Sequence, residues 1–383
     1  MNALRLRSAA TTLALSSALL LAGCGSFWPW GGSSKPKPAD PPAVTAPVPA
    51  RIAWTVRVGP GGAGFAPALA GDSVYAAGSD GNVARIDAAS GRVLWQVGLG
   101  KRLSAGVGSD GVVVVVAARD GNLIALDADG KQKWTAPLVG EASTVPVVGQ
   151  GVVLVRSSDN RVSAFELDSG KRRWAFQRQN PPLVLHQTSR IAIASGSAYV
   201  GLPGGRLVAL SLQNGAVRWE ATVSQPRGAT EIERIADVVG TPVVVGREVC
   251  AASFQGRLAC FDAANGRQLW MREVPSSSGI DFDARLVAIV DDRDVVHAFS
   301  RTGTSLWKQD KYARRELSAP LSLGPVLVMG DVEGMVHLLA RDDGAVAGRL
   351  TSDGSPIVSP PLAVGRSAVL QTSAGSLVSV ALD

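Results

Sequence analysis

Short apolar runs alternate with small polar clusters along most of the chain. Runs such as Val112–Ala118 and Val152–Val155 are bounded by Gly, Asp, Asn and Ser. Apolar runs of this length with such boundaries are typical of strands, and the residues between them favour tight turns. We find no amphipathic helix in the pattern. The chain is therefore predicted to be an all-β protein with many short strands.

A unit of about 40 residues recurs along the chain. In the best-preserved copy, a turn at Asp80–Gly81 leads to a strand ending at Asp87, a second turn at Ser90–Gly91, and Trp95. The first turn, called the hub turn below, recurs in eight copies at positions 81, 121, 160, 205, 256, 294, 334 and 375. The tryptophans of this frame are Trp54, Trp95, Trp134, Trp174, Trp219, Trp270 and Trp307, and Gly348 takes the tryptophan's place in the seventh copy.

Copies of so small a unit must pack on one another to bury their faces. Radial packing closes them into a propeller, which leaves only short, protected strand edges. The eighth copy stops at Asp383 before any tryptophan strand, whereas the run Ile52–Val56 precedes the first copy without a partner. We predict an eight-bladed β-propeller over residues 51–383, with the N-terminal strand completing the last blade. Seven blades are the alternative if the weak copy near residue 294 is misread.

The first 23 residues have the features of an export signal. Arg5 and Arg7 precede an apolar run, Thr11–Ala22, that is too short for a stable membrane anchor. The run ends in Leu-Ala-Gly-Cys at Cys24, the lipobox pattern of bacterial lipoproteins, and Gly25 after the cysteine favours the outer membrane. Cys24 is therefore the predicted lipidation site of a periplasmic lipoprotein. An ordinary secretory signal with an incidental cysteine is the alternative.

Residues 24–50 are predicted to be a lipidated tether. Seven prolines fall between positions 27 and 50. Chain of this composition favours extended polyproline II and forms neither helix nor central strand. We expect a disordered spacer that lifts the propeller off the membrane.

Charge and the remaining polar residues change this picture little. The net charge of +6 comes from scattered basic residues, which favours a solvated surface over a nucleic-acid site. His186, His297 and His337 supply no cluster of three or four ligands, so we expect no metal site. Cys250 and Cys260 flank one predicted hairpin turn, and the sequence leaves open whether they form a disulfide or a buried reduced pair.

The frame Asp-x-x-x-Gly-x-x-x-Trp, as in Asp87 to Trp95, resembles the tryptophan-docking motif of quinoprotein-type (PQQ-like) propellers. In that family each tryptophan packs against the neighbouring blade, which implies a structural role here. Quinoprotein catalysis needs a calcium site, an aspartate base and usually two vicinal cysteines. The sequence has no Cys-Cys pair and no long insertions, so we expect no catalytic residues and no cofactor.

Two segments resemble the BamB family, the lipoprotein subunit of the outer-membrane β-barrel assembly machinery. Residues 228–245 resemble a signature stretch, and residues 182–186 resemble the loop that this family uses against BamA. The resemblance implies four partner-binding residues: Leu183, Leu185, His186 and Asp237. His186 stands where the family has an arginine, and Val239 where it has a second aspartate.

The two longest intervals between hub turns, 160–205 and 205–256, contain these segments. Insertions in repeat proteins map to loops, often on the binding face, although drift in surface loops is the alternative explanation. The resemblance implies a non-catalytic scaffold that docks on BamA and assists insertion of outer-membrane proteins, by orienting the complex or by offering strand edges. Other subunits of the machinery and outer-membrane protein substrates are further candidate partners. The alternative function is a PQQ-dependent periplasmic dehydrogenase.

Overall fold

The computed structural model describes residues 36–185 and 189–383. Within these ranges lie thirty-two strands, arranged in eight antiparallel sheets of four strands each. In chain order, blade one contains β2 (Ala68–Ala70), β3 (Ser73–Ala77), β4 (Asn82–Asp87) and β5 (Val93–Gly98), blade two contains β6 (Leu103–Ser109), β7 (Val114–Ala118), β8 (Asn122–Leu126) and β9 (Gln132–Pro137), blade three contains β10 (Val147–Gly149), β11 (Val152–Arg156), β12 (Val162–Glu166) and β13 (Arg172–Phe176), and blade four contains β14 (Ile191–Ala194), β15 (Ser197–Leu202), β16 (Arg206–Ser211) and β17 (Val217–Thr222).

The second half repeats this arrangement. Blade five contains β18 (Val238–Val245), β19 (Glu248–Ser253), β20 (Arg257–Asp262) and β21 (Gln268–Glu273), blade six contains β22 (Ile280–Phe282), β23 (Leu286–Val290), β24 (Val296–Ser300) and β25 (Ser305–Gln309), blade seven contains β26 (Leu321–Leu323), β27 (Val326–Gly330), β28 (Met335–Ala340) and β29 (Val346–Thr351), and blade eight contains β30 (Leu362–Val364), β31 (Ser367–Gln371), β32 (Ser376–Leu382) and β1 (Ala50–Arg57). The weak copy near residue 294 is thus a complete blade, and the eight-bladed all-β prediction is confirmed.

Blade eight is assembled from the two ends of the chain. The N-terminal strand β1 pairs antiparallel with β32, from Ala50 opposite Leu382 to Arg57 opposite Ser376. The Arg51 guanidinium lies 3.0 Å from the carboxylate of Asp383 beside this pairing. The predicted closure of the ring by the N-terminal strand is therefore confirmed.

Seven tryptophans connect consecutive blades. Each indole N–H donates to a backbone carbonyl in the next blade, as Trp134 does to Leu167 at 2.9 Å and Trp270 to Arg301 at 2.7 Å. The full set of donors is Trp54, Trp95, Trp134, Trp174, Trp219, Trp270 and Trp307. Each ring also lies against the second-turn glycine of that blade, where an added Cβ would clash with the indole, as at Gly170. Burial of one such ring contributes on the order of 4–6 kcal/mol as an upper bound.

The contact between blades seven and eight is built differently. Blade eight has no turn between its third and fourth strands, because those strands come from opposite ends of the chain. A tryptophan in β29 would have no turn glycine to pack against, and Gly348 occupies that position. Residues 38–49, called the strap below, lie there instead. The backbone N–H groups of Thr45 and Val48 donate to β29 carbonyls at 2.9 and 2.8 Å.

The strap departs from the disordered spacer expected from its prolines. Its far end is held by Arg315, which donates to the Ala39 carbonyl at 2.7 Å and is itself paired with Asp331 and Glu333. Val48 packs against an apolar cluster that includes Leu382. Proline-rich chain lacks N–H groups at its prolines, but its other residues can still pair with an exposed strand edge. Residues 38–49 are therefore a docked segment.

Cys250 and Cys260 form a disulfide between directly opposed positions of β19 and β20. Of the two arrangements that the sequence left open, the structure has the cross-strand bond. The export signal, Cys24 and the first part of the tether lie outside the described residues. In the ranges that are described, no helix has the length and apolar character needed to cross a membrane.

Candidate functional site

The two longest connections between blades emerge at the same end of the ring. Residues 177–190 join blade three to blade four, and residues 223–237 join blade four to blade five. Each blade-to-blade connection begins beside a hub turn: Val223 donates to the Gly205 carbonyl at 2.8 Å, as Leu138 does to Gly121. Both segments with family resemblance therefore lie at the end that carries the hub turns, called the hub-turn face below.

The first of these connections is fastened to blade three by Asn180. Its amide donates to the Asp159 carbonyl and accepts from the Asn160 side chain, both at 3.2 Å. Asn160 in turn accepts from the buried guanidinium of Arg156 at 2.6 Å. Burial lowers the pKa of Arg156 to about 10, and the nearby charge of Asp237 opposes that shift. The connection thus starts from a fixed point on the hub turn of blade three.

Asp237 fastens the other end of the described segment. Its carboxylate accepts the backbone N–H groups of Leu185 at 2.7 Å and Gly204 at 3.0 Å. Only 4% of Asp237 is exposed, so it is not the rim charge expected of a residue that contacts a partner. These two N–H groups lie in loops, where no neighbouring strand supplies a carbonyl acceptor, and the carboxylate takes that place. Asp237 therefore ties the segment at Leu185 to the turn at Gly204.

The segment between Asn180 and Leu185 exposes one of its two leucines to solvent, whereas the other is partly buried. Leu183 is 40% exposed, whereas Leu185 is half-buried and packs against the apolar cluster between blades five and six that contains Val239. The expectation that both leucines are exposed is therefore correct for Leu183 alone. Val239, at the position of the family's second aspartate, is buried. His186 lies outside the described residues.

The second connection presents a residue that the sequence did not single out. Thr230 and Glu233 bond reciprocally: the Glu233 carboxylate accepts the Thr230 N–H at 3.0 Å, and the Glu233 N–H donates to the Thr230 hydroxyl at 3.3 Å. The backbone N–H groups of Thr230 and Ala229 lower the pKa of Glu233. This self-supported turn leaves Ile232 66% exposed. The sequence signal that could have identified this residue is an isoleucine within a polar turn that is capped by its own side chains.

A cleft of about 250 Å³ separates the first connection from blade four. Arg178 and Arg206 flank its rim and both pair with Glu220. The cleft floor includes Asn160 and Gly204, the same residues that hold the connection in place. The hub-turn face therefore combines exposed apolar side chains with a net positive rim, a composition suited to binding a protein surface.

Two of the three histidines interact with carboxylates that stabilise hub turns. His297 and His337 occupy equivalent strand positions, and their imidazoles lie 2.9 and 2.7 Å from Asp291 and Asp331, the carboxylates that cap the hub turns of blades six and seven. Burial lowers the pKa of His337. Among residues 36–185 and 189–383, no group of three His, Cys, Asp or Glu side chains is placed to hold a metal ion.

Comparison with known proteins agrees with this architecture. A family profile described as "Outer membrane protein assembly factor BamB" matches residues 79–309. A protein of Bordetella pertussis with the same description is 44% identical over 369 residues, which cover 96% of this chain and 95% of that protein. The chain belongs to the BamB family. The resemblance noted in the sequence is thereby confirmed.

Solved structures place the fold among BamB proteins as well. BamB from Moraxella catarrhalis is 26% identical, with a TM-score of 0.80 over 87% of this chain and 100% of that one. A quinohemoprotein alcohol dehydrogenase from Comamonas testosteroni has a TM-score of 0.66 at 13% identity, over 87% of this chain and 76% of that one. At that identity the likeness shows a common propeller fold and nothing about activity.

Proposed function

We propose that this BamB-family chain is a non-catalytic scaffold of outer-membrane protein assembly that docks on BamA through its hub-turn face. The observation that carries the proposal is Leu183, an exposed leucine on a segment held at Asn180 and at Leu185. Fixing an apolar side chain before binding reduces the ordering cost on association, which suits an interface anchor. The Bordetella pertussis relative is described as an outer membrane protein assembly factor, which supports a role in assembly.

The residues divide between contact and positioning. Leu183 is the proposed central contact, and Ile232 on the neighbouring connection extends the apolar surface. Asp237 acts through the backbone of Leu185, and Leu185 anchors the segment on blade five. His186 stays a proposed contact at the end of this segment. The arginines at the cleft rim would favour an acidic region of the partner.

The propeller would reach its partner from the periplasmic face of the outer membrane. Cys24 is the proposed site of lipidation, and acyl chains at that residue would hold the mature protein at the membrane surface. With the strap docked, the residues between Cys24 and Pro38 would have to span the distance from the membrane to the propeller. A chain of that length, about 13 residues, spans at most roughly 45 Å when fully extended.

Site-specific photocrosslinking in cells tests the docking face. A photoreactive residue at position 183 or 232 should crosslink to BamA, identified from the crosslinked band. Position 112 is the matched control, because Val112 is 64% exposed but lies in the turn between β6 and β7, at the end of the ring opposite the hub turns. Crosslinks to BamA from position 112 and none from positions 183 and 232 would refute the assignment.

A further inference from the structure

The axis of the propeller contains a cavity of about 290 Å³. It is lined by residues at or just before the first strand of every blade except blade two, and most of them are small, hydroxyl-bearing or proline residues. Two charged residues contribute to it, Arg190 from the connection into blade four and Asp281 from β22. The cavity lies on the ring axis and is separate from the cleft beside Leu183.

Arg190 has no counter-charge among the described residues. The hydrogen bond recorded for its side chain there runs from Nη2 to the Ala63 carbonyl at 3.4 Å. A guanidinium has five N–H donors, so most of this group's donor capacity remains available. Arg190 keeps partial access to solvent, and the desolvation of its guanidinium by the surrounding wall lowers its pKa to about 10, the direction expected where surrounding groups do not compensate the charge. An anion would supply that compensation.

The acidic residue of the lining does not perform this role. Asp281 accepts the backbone N–H of Ser322 at 2.6 Å, and burial raises the pKa of its carboxyl. Asp281 is therefore engaged by β26, and no ion pair with Arg190 is formed within the described part of the chain.

Two hydroxyl groups of the lining also lack partners. Thr144 Oγ1 and Ser278 Oγ are inaccessible to solvent and have no hydrogen-bond partner within the described ranges. Buried polar atoms without partners are uncommon in proteins, so these two hydroxyls retain hydrogen-bonding capacity that a bound group can use. Hydroxyl donors and a guanidinium together form the kind of set that binds carboxylates and phosphates.

We propose that the central channel binds a small oxyanion, with Arg190 as its charged ligand and the hydroxyls of Thr144 and Ser278 as additional donors once their side chains rotate towards the channel. Carboxylates and phosphates share the required chemistry, since both offer two oxygens to a planar guanidinium. Asp281 opposes a negative ligand, and its neutralisation should strengthen binding. Arg190 ends the same connection that carries Leu183, but the site uses none of the proposed docking contacts.

Calorimetric titration of the full chain purified from membranes tests the site. Inorganic phosphate and acetate are titrated separately against a chloride background of constant ionic strength. Saturable binding of one anion per chain is expected for at least one of them, and comparing the two identifies the preferred oxyanion. Asp281→Asn should tighten that binding several-fold.

Arg190→Gln should weaken the binding by about tenfold or more, because hydrogen bonds to charged groups are the strong ones. The matched control is Arg272→Gln, which removes an exposed guanidinium on the outer strand β21 whose hydrogen bond, within residues 36–185 and 189–383, goes to the adjacent Met271 carbonyl. Its affinity should equal that of the wild type. If Arg190→Gln fails to fold, Thr144→Val provides the test through a several-fold loss. No saturable binding of either anion, or unchanged affinity in the folded Arg190 or Thr144 variant, would overturn the proposal.

Discussion

Replacing Asp237 by alanine should release the segment that carries Leu183. The carboxylate accepts two backbone N–H groups, at 2.7 Å from Leu185 and 3.0 Å from Gly204. A hydrogen bond to a charged group contributes about 1.5–3 kcal/mol, and water can reach the half-buried Leu185 once the carboxylate is removed. We therefore expect a local cost of about 3 kcal/mol, near the lower limit for two such bonds.

Hydrogen exchange resolves this local effect from global unfolding. A cost of about 3 kcal/mol should accelerate exchange of the Leu185 amide by roughly a hundredfold. Asp110→Ala is the matched control, because Asp110 also accepts two backbone N–H groups, from Val112 and Val113, at the opposite end of the ring. That variant should leave exchange at Leu185 unchanged. Equal exchange at Leu185 in wild type and Asp237→Ala would show that the carboxylate does not hold this segment.

The same variant separates positioning from contact. If Asp237 acts through Leu183, Asp237→Ala should weaken partner binding by about tenfold, and its effect should shrink in a Leu183→Asp background. Full additivity of the two substitutions would mean that Asp237 contributes to binding independently of Leu183.

Three further predictions follow from the fold. Deletion of residues 38–49 should lower the free energy of unfolding by about 2 kcal/mol in chemical denaturation, because the strap's backbone bonds to β29 are lost, whereas deletion of 27–35 should not. Partial burial tends to raise the pKa of Asp353, but hydrogen bonds to its carboxylate, including one from Thr372 at 2.7 Å, outweigh this effect and lower the pKa to about 2. The stability that this carboxylate contributes is therefore present above about pH 4 and is lost as the pH falls towards 2. Melting curves of Asp353→Asn should therefore converge with the wild type near pH 2 and diverge above pH 4, and parallel curves would contradict the assignment. Cys24→Ala should abolish outer-membrane fractionation of the mature species, and its retention there would disprove lipidation at this residue.

The fold could be predicted because its signals are local and repeated. A hub turn requires a positive φ, which Gly81 and Asn160 provide, and every tryptophan of the frame except Trp54 lies 13 or 14 residues after such a turn. Position 256 shows the limit of this reasoning, since the positive φ in blade five belongs to Gln255 and not to Gly256. The repeat gives the location of the turn to within one residue, whereas its backbone geometry depends on the surrounding contacts.

The functional site was only partly predictable, because its geometry rests on contacts between distant residues. The sequence indicated both connections through their length, but the bond from Leu185 to Asp237 joins residues 52 positions apart and has no local pattern. Asp237 therefore looked like a surface charge. The strap was missed for a similar reason: its partner is the edge of β29, beside the one blade whose third and fourth strands come from opposite ends of the chain.

The most direct test of the docking proposal is the affinity of the purified chain for the periplasmic domains of BamA. Leu183→Asp places a carboxylate at the centre of the proposed contact and should weaken Kd by roughly thirtyfold or more, since a central anchor contributes about 2 kcal/mol or more. Val112→Asp makes the same change at the opposite end of the ring and should leave Kd unchanged. Both variants should have the same melting temperature as the wild type, because both side chains are exposed. Equal Kd values for wild type and a folded Leu183→Asp variant would contradict docking through the hub-turn face.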